Sequence, residues 1–398
     1  MLRPESAAEQ RLRNEVRGWL QANTPEELRH LTFRPAPRDI MPWYRALYER
    51  GWIAPHWPRE HGGMGATPVE QVILIEEMAE FGAPDFPSQG INQIGPLLIK
   101  FGSPAQRALH LPRMLSGEAI WCQGYSEPGA GSDLANLRTR ARLAGGDLVV
   151  TGHKTWTTWG HHAHWMYALV RSGGARSGSS GGDDGGSRHA GISFVLIDLA
   201  TPGITRRPIR NIAGDDEFCE VFLDEVRVPV ANLVGDLGAG WRIATALLNE
   251  ERIRIGSPLL ALKALARLRA IAELTGTARD PRMQERIALA GIEVDTLVAA
   301  YLDALEQLDG GGDAASASAC LKVYATETVQ RVLDAAQEAA GGARALLQPL
   351  TPGAERIDLS EMVLQSRRLS IYGGSNEIQR SLIASRVLGL PDGRKRAR

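Results

Sequence analysis

Apolar residues recur three and four positions apart early in the chain, as at Val16 and Leu20, Trp43 and Leu47, and Val72, Ile75 and Ala79. This spacing predicts amphipathic helices from about residue 6 to 118. The segment GWIAPHWPREHGGMG, residues 51 to 65, interrupts them with Pro55, Pro58 and paired glycines, and is expected to link helices while laying its tryptophans against them. Near Ala119 the pattern changes. The runs AIWCQGY, LVVTGHKTWTTW, HWMYALVR, GISFVLIDL and CEVFLDEVRV are rich in Val, Ile, Thr and aromatic residues, which predicts a mostly antiparallel β domain reaching about residue 235. Within it, RSGGARSGSSGGDDGGSR at 171 to 188 has little side chain to bury and is expected to be an exposed hairpin loop. Helical spacing returns after Gly240, with a long candidate helix from Trp241 to Leu274 and interruptions at Gly310 to Gly312 and at Gly341 and Gly342. The order is therefore α, β, α. An α+β fold is expected, with a helical domain over 1–118, a β domain over 119–235 and a second helical domain over 236–398.

Composition narrows the function class. The 398 residues carry 45 Lys and Arg against 46 Asp and Glu, so no global basic field points to a nucleic-acid partner. The three cysteines, Cys122, Cys219 and Cys320, form neither a CxxC pair nor a disulfide framework; a reducing compartment is expected, and no metal site. No run approaches the roughly 20 apolar residues of a lipid-spanning helix, and the amino terminus alternates charge with apolar positions rather than forming a secretory core. A cytoplasmic protein is the expectation.

The densest chemical signal is YSEPGAGSDLA, residues 125 to 135, where Gly129 and Gly131 would permit close backbone approach and Ser132 would offer a hydroxyl to an anion. Its GAGSDL lacks the third glycine of GxGxxG and precedes no convincing Rossmann helix, so a structural loop competes with a phosphate site. GHKTWTTWG follows at 152 to 160 on an expected strand. Trp156 and Thr158 share side-chain parity there, and so can present an aromatic surface and a hydroxyl on one side.

With PREHGG at 58 to 63, NEERIRIG at 249 to 256 and IYGGSNEIQR at 371 to 380, these motifs follow one another in an order that resembles the acyl-CoA dehydrogenase family over nearly the whole length. The resemblance implies FAD bound where a central β domain meets two helical ones and a neighbouring subunit. It places Ser126 near the flavin pyrimidine, Ser132 near the pyrophosphate, and Trp156 and Thr158 beside the isoalloxazine, with Ser375 and Glu377 on the adenine-dinucleotide part. The RxxFG segment that often supplies diphosphate contacts in the family is absent.

Removing an α proton from an acyl-CoA thioester needs a positioned base opposite a hydride acceptor. Many family members carry that base as the glutamate of YEG, but this chain reads Tyr372, Gly373, Gly374 and has no carboxylate there. Another branch places it on the long helix before an arginine, which selects Glu251. Independently, Glu251 falls on the stripe Ala244, Leu248, Glu251, Ile255 and Leu259, where lost hydration would raise its proton affinity. Glu250, off that stripe, is the reserve. Resemblance assigns Arg252 to the CoA-bearing part of the ligand and leaves the Gly373 N–H to the thioester carbonyl. Arg254 reads as a solvated helix residue with a distal acid receptor as its alternative, and the basic tail from Arg394 to Arg398 as a solvated end.

The implied reaction is α,β-dehydrogenation of an acyl-CoA to a trans-2-enoyl-CoA, with electron-transfer flavoprotein as electron acceptor. A homodimer, homotetramer or paired assembly of unlike chains is expected. An oxygen-using acyl-CoA oxidase and a non-catalytic partner subunit are the alternatives. The glycine at 373 leaves room for a branched, cyclic or bulky acyl chain, and a linear dicarboxylic one is a further option.

Overall fold

A computed structural model describes residues 5–31, 35–173, 188–310, 314–342, 350 and 357–391; the side chains of 247–254, 308–309 and 314–316 lie outside that description. The expected order of α, β and α is what the chain adopts. Five helices come first: α1 (Ala7–Asn23), α2 (Pro37–Glu49), α3 (Pro68–Glu80), α4 (Gly95–Phe101) and α5 (Pro104–Leu115). Three of them start on capping boxes, Ser6 with Glu9, Thr67 with Glu70 and Ser103 with Gln106, each of which satisfies two orphan backbone donors. Prolines at the first position of α3 and α5 forfeit no helical hydrogen bond. In the 51 to 65 linker, Trp57 is buried and donates its indole N–H to the Ile91 carbonyl at 2.8 Å.

Eight strands follow: β1 (Trp121–Gly124), β2 (Arg140–Ala144), β3 (Asp147–Thr158), β4 (Trp165–Arg171), β5 (Ile192–Asp198), β6 (Ile204–Ile209), β7 (Phe218–Pro229) and β8 (Leu233–Val234). They form one sheet ordered β6-β7-β3-β2-β4-β5-β8, with β1 also paired to β4. Pairing is antiparallel except at β4, which takes β1 and the start of β2 in parallel. The glycine-rich tract connects the antiparallel strands β4 and β5; residues 174–187 of it lie outside the described residues. Alternation along β3, β4, β5 and β7 buries Val150, Met166, Ala168, Val195, Ile197, Val221 and Leu223 in a shared core.

The later helices are α6 (Gly240–Ile255), α7 (Leu259–Thr275), α8 (Pro281–Asp309), α9 (Ala314–Ala340), α10 (Leu359–Ser366) and α11 (Asn376–Leu382). The single helix expected from Trp241 to Leu274 is therefore two. The break falls at Gly256, Ser257 and Pro258: proline has no N–H to donate and crowds the preceding turn, so α7 restarts with Pro258 at its N-cap. Packing divides the chain into two units, one of residues 1–46, 64–86 and 249–398 and one of 47–63 and 87–248. In the first, the helical unit, the apolar stripes of α7, α8 and α9 bury Leu268, Val294, Leu297, Val332 and Ala336 together. Glu77 of α3 is 2% exposed and accepts hydrogen bonds from Arg13 and Arg17 of α1 at 2.8 to 2.9 Å, which fixes the pairing of those helices. Among the described residues no helix is long and apolar enough to cross a membrane.

Candidate active site

In the second, mixed unit, the glycine motif is held from beneath by a buried ion pair. Lys154 of β3 is fully buried and donates to the Glu127 carboxylate and the Leu169 carbonyl, both at 2.8 Å, and to the Tyr125 carbonyl at 3.3 Å. Glu127 also accepts the backbone N–H groups of Arg138 and Thr139, at 2.6 and 2.9 Å. Burial pushes the Lys154 ammonium down to about 8, with the Glu127 charge opposing that shift. For Glu127 burial works upward, but the Lys154 charge and the donated hydrogen bonds outweigh it and leave the carboxyl below its usual value. At neutral pH the pair is therefore charged. It ties the motif to β3 and β4 at a position the sequence reading assigned no role.

Ser126 sits directly on this anchor. Its carbonyl accepts the Thr155 N–H at 2.9 Å, which brings the motif alongside the segment bearing Trp156. The expected parity of β3 holds at its end: Thr155 and Thr157 are buried, while Trp156 is 58% exposed and Thr158 half-buried. The pairing of β3 with β7 slips between Lys154 and Thr157, and this bulge puts Trp156 at φ +58°, a left-handed backbone rarely taken by a bulky residue. The Trp156 ring meets Phe218 edge-on at 6.0 Å and otherwise offers its surface outward. Gly129 and Gly131 do not take positive φ, and a Cβ at either would meet nothing within 4 Å. Their bareness answers no demand from inside the chain and leaves the turn open to close approach. Ser132 is exposed beside them, and only a three-residue helical turn, Leu134–Asn136, follows in place of a Rossmann helix.

Gln123 was missed from the sequence. It is at the end of β1, three residues before Ser126, and its side-chain Nε2 is buried with no hydrogen-bond partner. A buried amide donor left unmatched costs about 1–3 kcal/mol, so its partner is expected to be a bound acceptor or water. The available signal was its place on the strand that delivers the motif.

In the helical unit, Gly373 and Gly374 form a turn with φ +64° and +80°. Gln379 of α11 donates to the Gly373 carbonyl at 3.1 Å, whereas the Gly373 N–H has no acceptor among the described residues. A Cβ built at Gly373 would collide with Ile255 Cδ1. Ile255 closes α6, and position 251 lies one turn earlier on the same helix face. The side chains of Glu250, Glu251, Arg252 and Arg254 lie outside the described residues, as does the tail beyond 391. Ser375 spends its hydroxyl as the N-cap of α11, accepting from Ile378 N–H at 3.4 Å. Glu377 is exposed in the first turn of that helix, where its own backbone N–H, then Ser375, hold its carboxyl below the usual range. Beneath them Asn376 is buried and accepts from the buried Lys322 ammonium of α9 at 2.6 Å, which anchors the turn. The arrangement thus gathers Ser126, Trp156 and Thr158 in the mixed unit, with Ser132 at the open edge of the same motif. It gathers Gly373, Ser375 and Glu377 in the helical unit.

Comparison with known proteins matches three family models in succession: the N-terminal domain of acyl-CoA dehydrogenases at residues 6–118, the middle domain at 122–226 and the C-terminal domain at 238–388. The chain is similar to the acyl-CoA dehydrogenase IpdE1 of Mycobacterium tuberculosis, 36% identical over 394 residues, covering 95% of this chain and 97% of that protein. It is 34% identical to acyl-CoA dehydrogenase FadE26 of the same organism, over 96% of this chain and 97% of FadE26. Among solved structures, the Tcur3481-Tcur3483 steroid ACAD superposes with a TM-score of 0.85 at 28% identity, covering 98% of this chain and 99% of that one. The ChsE4-ChsE5 complex from Mycobacterium tuberculosis gives 0.82 at 29% identity, over 98% and 100%.

Proposed function

Because the chain belongs to the acyl-CoA dehydrogenase family and is an FAD-dependent enzyme of that family, we propose that it converts an acyl-CoA to the trans-2-enoyl-CoA with Glu251 as the base. The observation that carries this reading is the turn at Gly373, where Ile255 of α6 fills the space a side chain would need and position 251 lies one helical turn earlier on the same face. A base delivered from α6 replaces one delivered from the turn.

The residues of the mixed unit fit a flavin. The exposed Trp156 face, the unmatched Gln123 amide donor and the open backbone at Gly129 and Gly131 supply an aromatic wall, a donor for a ring carbonyl and a shelf for phosphate oxygens. Ser126, Ser132 and Thr158 are the hydroxyls we assign to it, with Ser375 and Glu377 on its adenine-dinucleotide part. FAD, when bound, supplies the hydride acceptor, and electron-transfer flavoprotein is the partner that takes the electrons onward.

Glu251 accepts the α proton. The Gly373 N–H, which has no acceptor among the described residues, donates to the thioester oxygen, which acidifies that proton by stabilising enolate charge. Arg252 balances charge on the CoA portion. The substrate class we favour is a cyclic or otherwise bulky acyl group, supported by the similarity to a protein described as a steroid ACAD; the space beside position 373, expected from the sequence to admit such a group, is taken by Ile255. We place the enzyme in the cytoplasm as an oligomer. Assembly with an unlike chain is favoured over self-assembly by the ChsE4-ChsE5 complex, itself a pair of differently named chains.

Anaerobic flavin bleaching across a panel of acyl-CoAs tests the base. Glu251→Gln should bind acyl-CoA yet lose bleaching by a factor of about 10³ or more, in line with removal of a group acting in the transition state; bleaching at the wild-type rate would reject the assignment.

A further inference from the structure

A cavity of about 340 Å³ lies wholly inside the helical unit, between the end of α3 and the helices α7, α9 and α10. Its walls are largely apolar, with Ala264, Val329, Leu333, Met362 and Leu369 among them. Such a volume and lining suit part of a small organic ligand. Tyr372, the residue immediately before Gly373, lines it. Leu260, five residues beyond Ile255, lines it as well. The lining therefore reaches the residue before the Gly373 turn and the first turn of α7, the helix that follows α6.

Its polar lining is unusual for a hydrocarbon tunnel. Lys263 and Arg267 of α7 line it with Arg368, opposed by the carboxylates of Glu80 and Asp85. Among the described residues the Lys263 ammonium donates one hydrogen bond, to the Ala83 carbonyl at 2.6 Å, although it carries three N–H donors. Burial pushes this group down to about 8, with Asp85 partly offsetting the loss of water. A desolvated ammonium beside apolar walls is costly unless acceptors complete its shell.

We propose that this cavity receives the distal end of the acyl group and that Lys263 donates a hydrogen bond to an oxygen there, so that the enzyme selects acyl-CoAs whose far end carries a carboxylate or ketone over those ending in a methyl group. The inference rests on the acyl-CoA reading above and adds to it a specificity-determining residue outside every sequence motif. A ketone needs only the donor; a carboxylate also gains from the charge of the ammonium.

The test uses three CoA thioesters of equal chain length, ending in a methyl, a ketone and a carboxylate, on the flavin-loaded wild type and on Lys263→Met, Lys263→Gln and Lys263→Arg. Both kcat/KM and calorimetric binding are measured for each. A charge-assisted hydrogen bond predicts a preference for an oxygen-ended substrate of at least about tenfold in the wild type, reduced to near one in Lys263→Met and Lys263→Gln and partly kept in Lys263→Arg. Which oxygen-ended arm leads identifies the group. Turnover without end-group preference, or a preference the neutral variants retain, overturns the proposal while leaving the dehydrogenase reading intact. Binding preference that depends on Lys263, with no turnover of any thioester, sinks that reading and keeps the cavity assignment. Should Lys263→Met fail to fold, Lys263→Gln and Lys263→Arg carry the same comparison.

Discussion

A carboxylate placed at position 373 would have nowhere to sit. The backbone there is left-handed, which costs a non-glycine residue about 1–2 kcal/mol, and Ile255 occupies the volume. Gly373→Glu should therefore lower the melting temperature, and in a Glu251→Gln background it should fail to restore flavin bleaching. Recovery of even a tenth of wild-type bleaching would mean that the turn can still present a base. Trp156 carries the opposite trade. Its φ of +58° stores strain of about 1–3 kcal/mol, so Trp156→Gly should raise the stability of the flavin-free protein while reducing flavin retention on purification. Thermal melting of the apoprotein and the flavin-to-protein absorbance ratio read the two effects separately, and loss of both would contradict the trade. The outward parity of Trp156 and Thr158 was legible because strand periodicity is local. The strain was not, because the bulge arises from pairing with β7, some 60 residues later in the chain.

Among elements, the anchoring of β3 to the glycine motif yields a pH dependence. The Glu127 carboxyl titrates below its ordinary value of 4.5 in the folded chain, so its contribution to stability is complete above that pH and is lost as pH falls through the lowered folded value. Wild type should thus lose melting temperature below about pH 4.5 more steeply than Glu127→Gln, whose curve starts lower and is flatter; parallel curves would show that the pair contributes nothing. Sequence reading located the strands that bury a face and missed those that do not. β6 reads ITRRPI with no buried position, and β2 buries a single residue, so neither shows the apolar alternation that identifies a strand. The proline that splits α6 from α7 was visible, but the apolar stripe runs across it and carries the helical pattern past the break. Gln123 and Lys263 were invisible for a related reason: a polar group lining a cavity or lacking a partner is recognised by its surroundings, which periodicity does not report.

At the scale of the molecule, the family and the α, β, α order were readable because five short motifs retain their order over almost four hundred residues. That α4 and α5 fall in one unit with the strands, rather than with the other early helices, was not. The helical unit is assembled from three separate stretches, and α3 packs on α7 and α8, which lie nearly two hundred positions downstream. During synthesis on the ribosome, then, the face of α3 that packs on α7 and α8 emerges bare and must wait for the final third of the polypeptide. The strand-bearing portion, complete in sequence before those partners exist, can mature ahead of them.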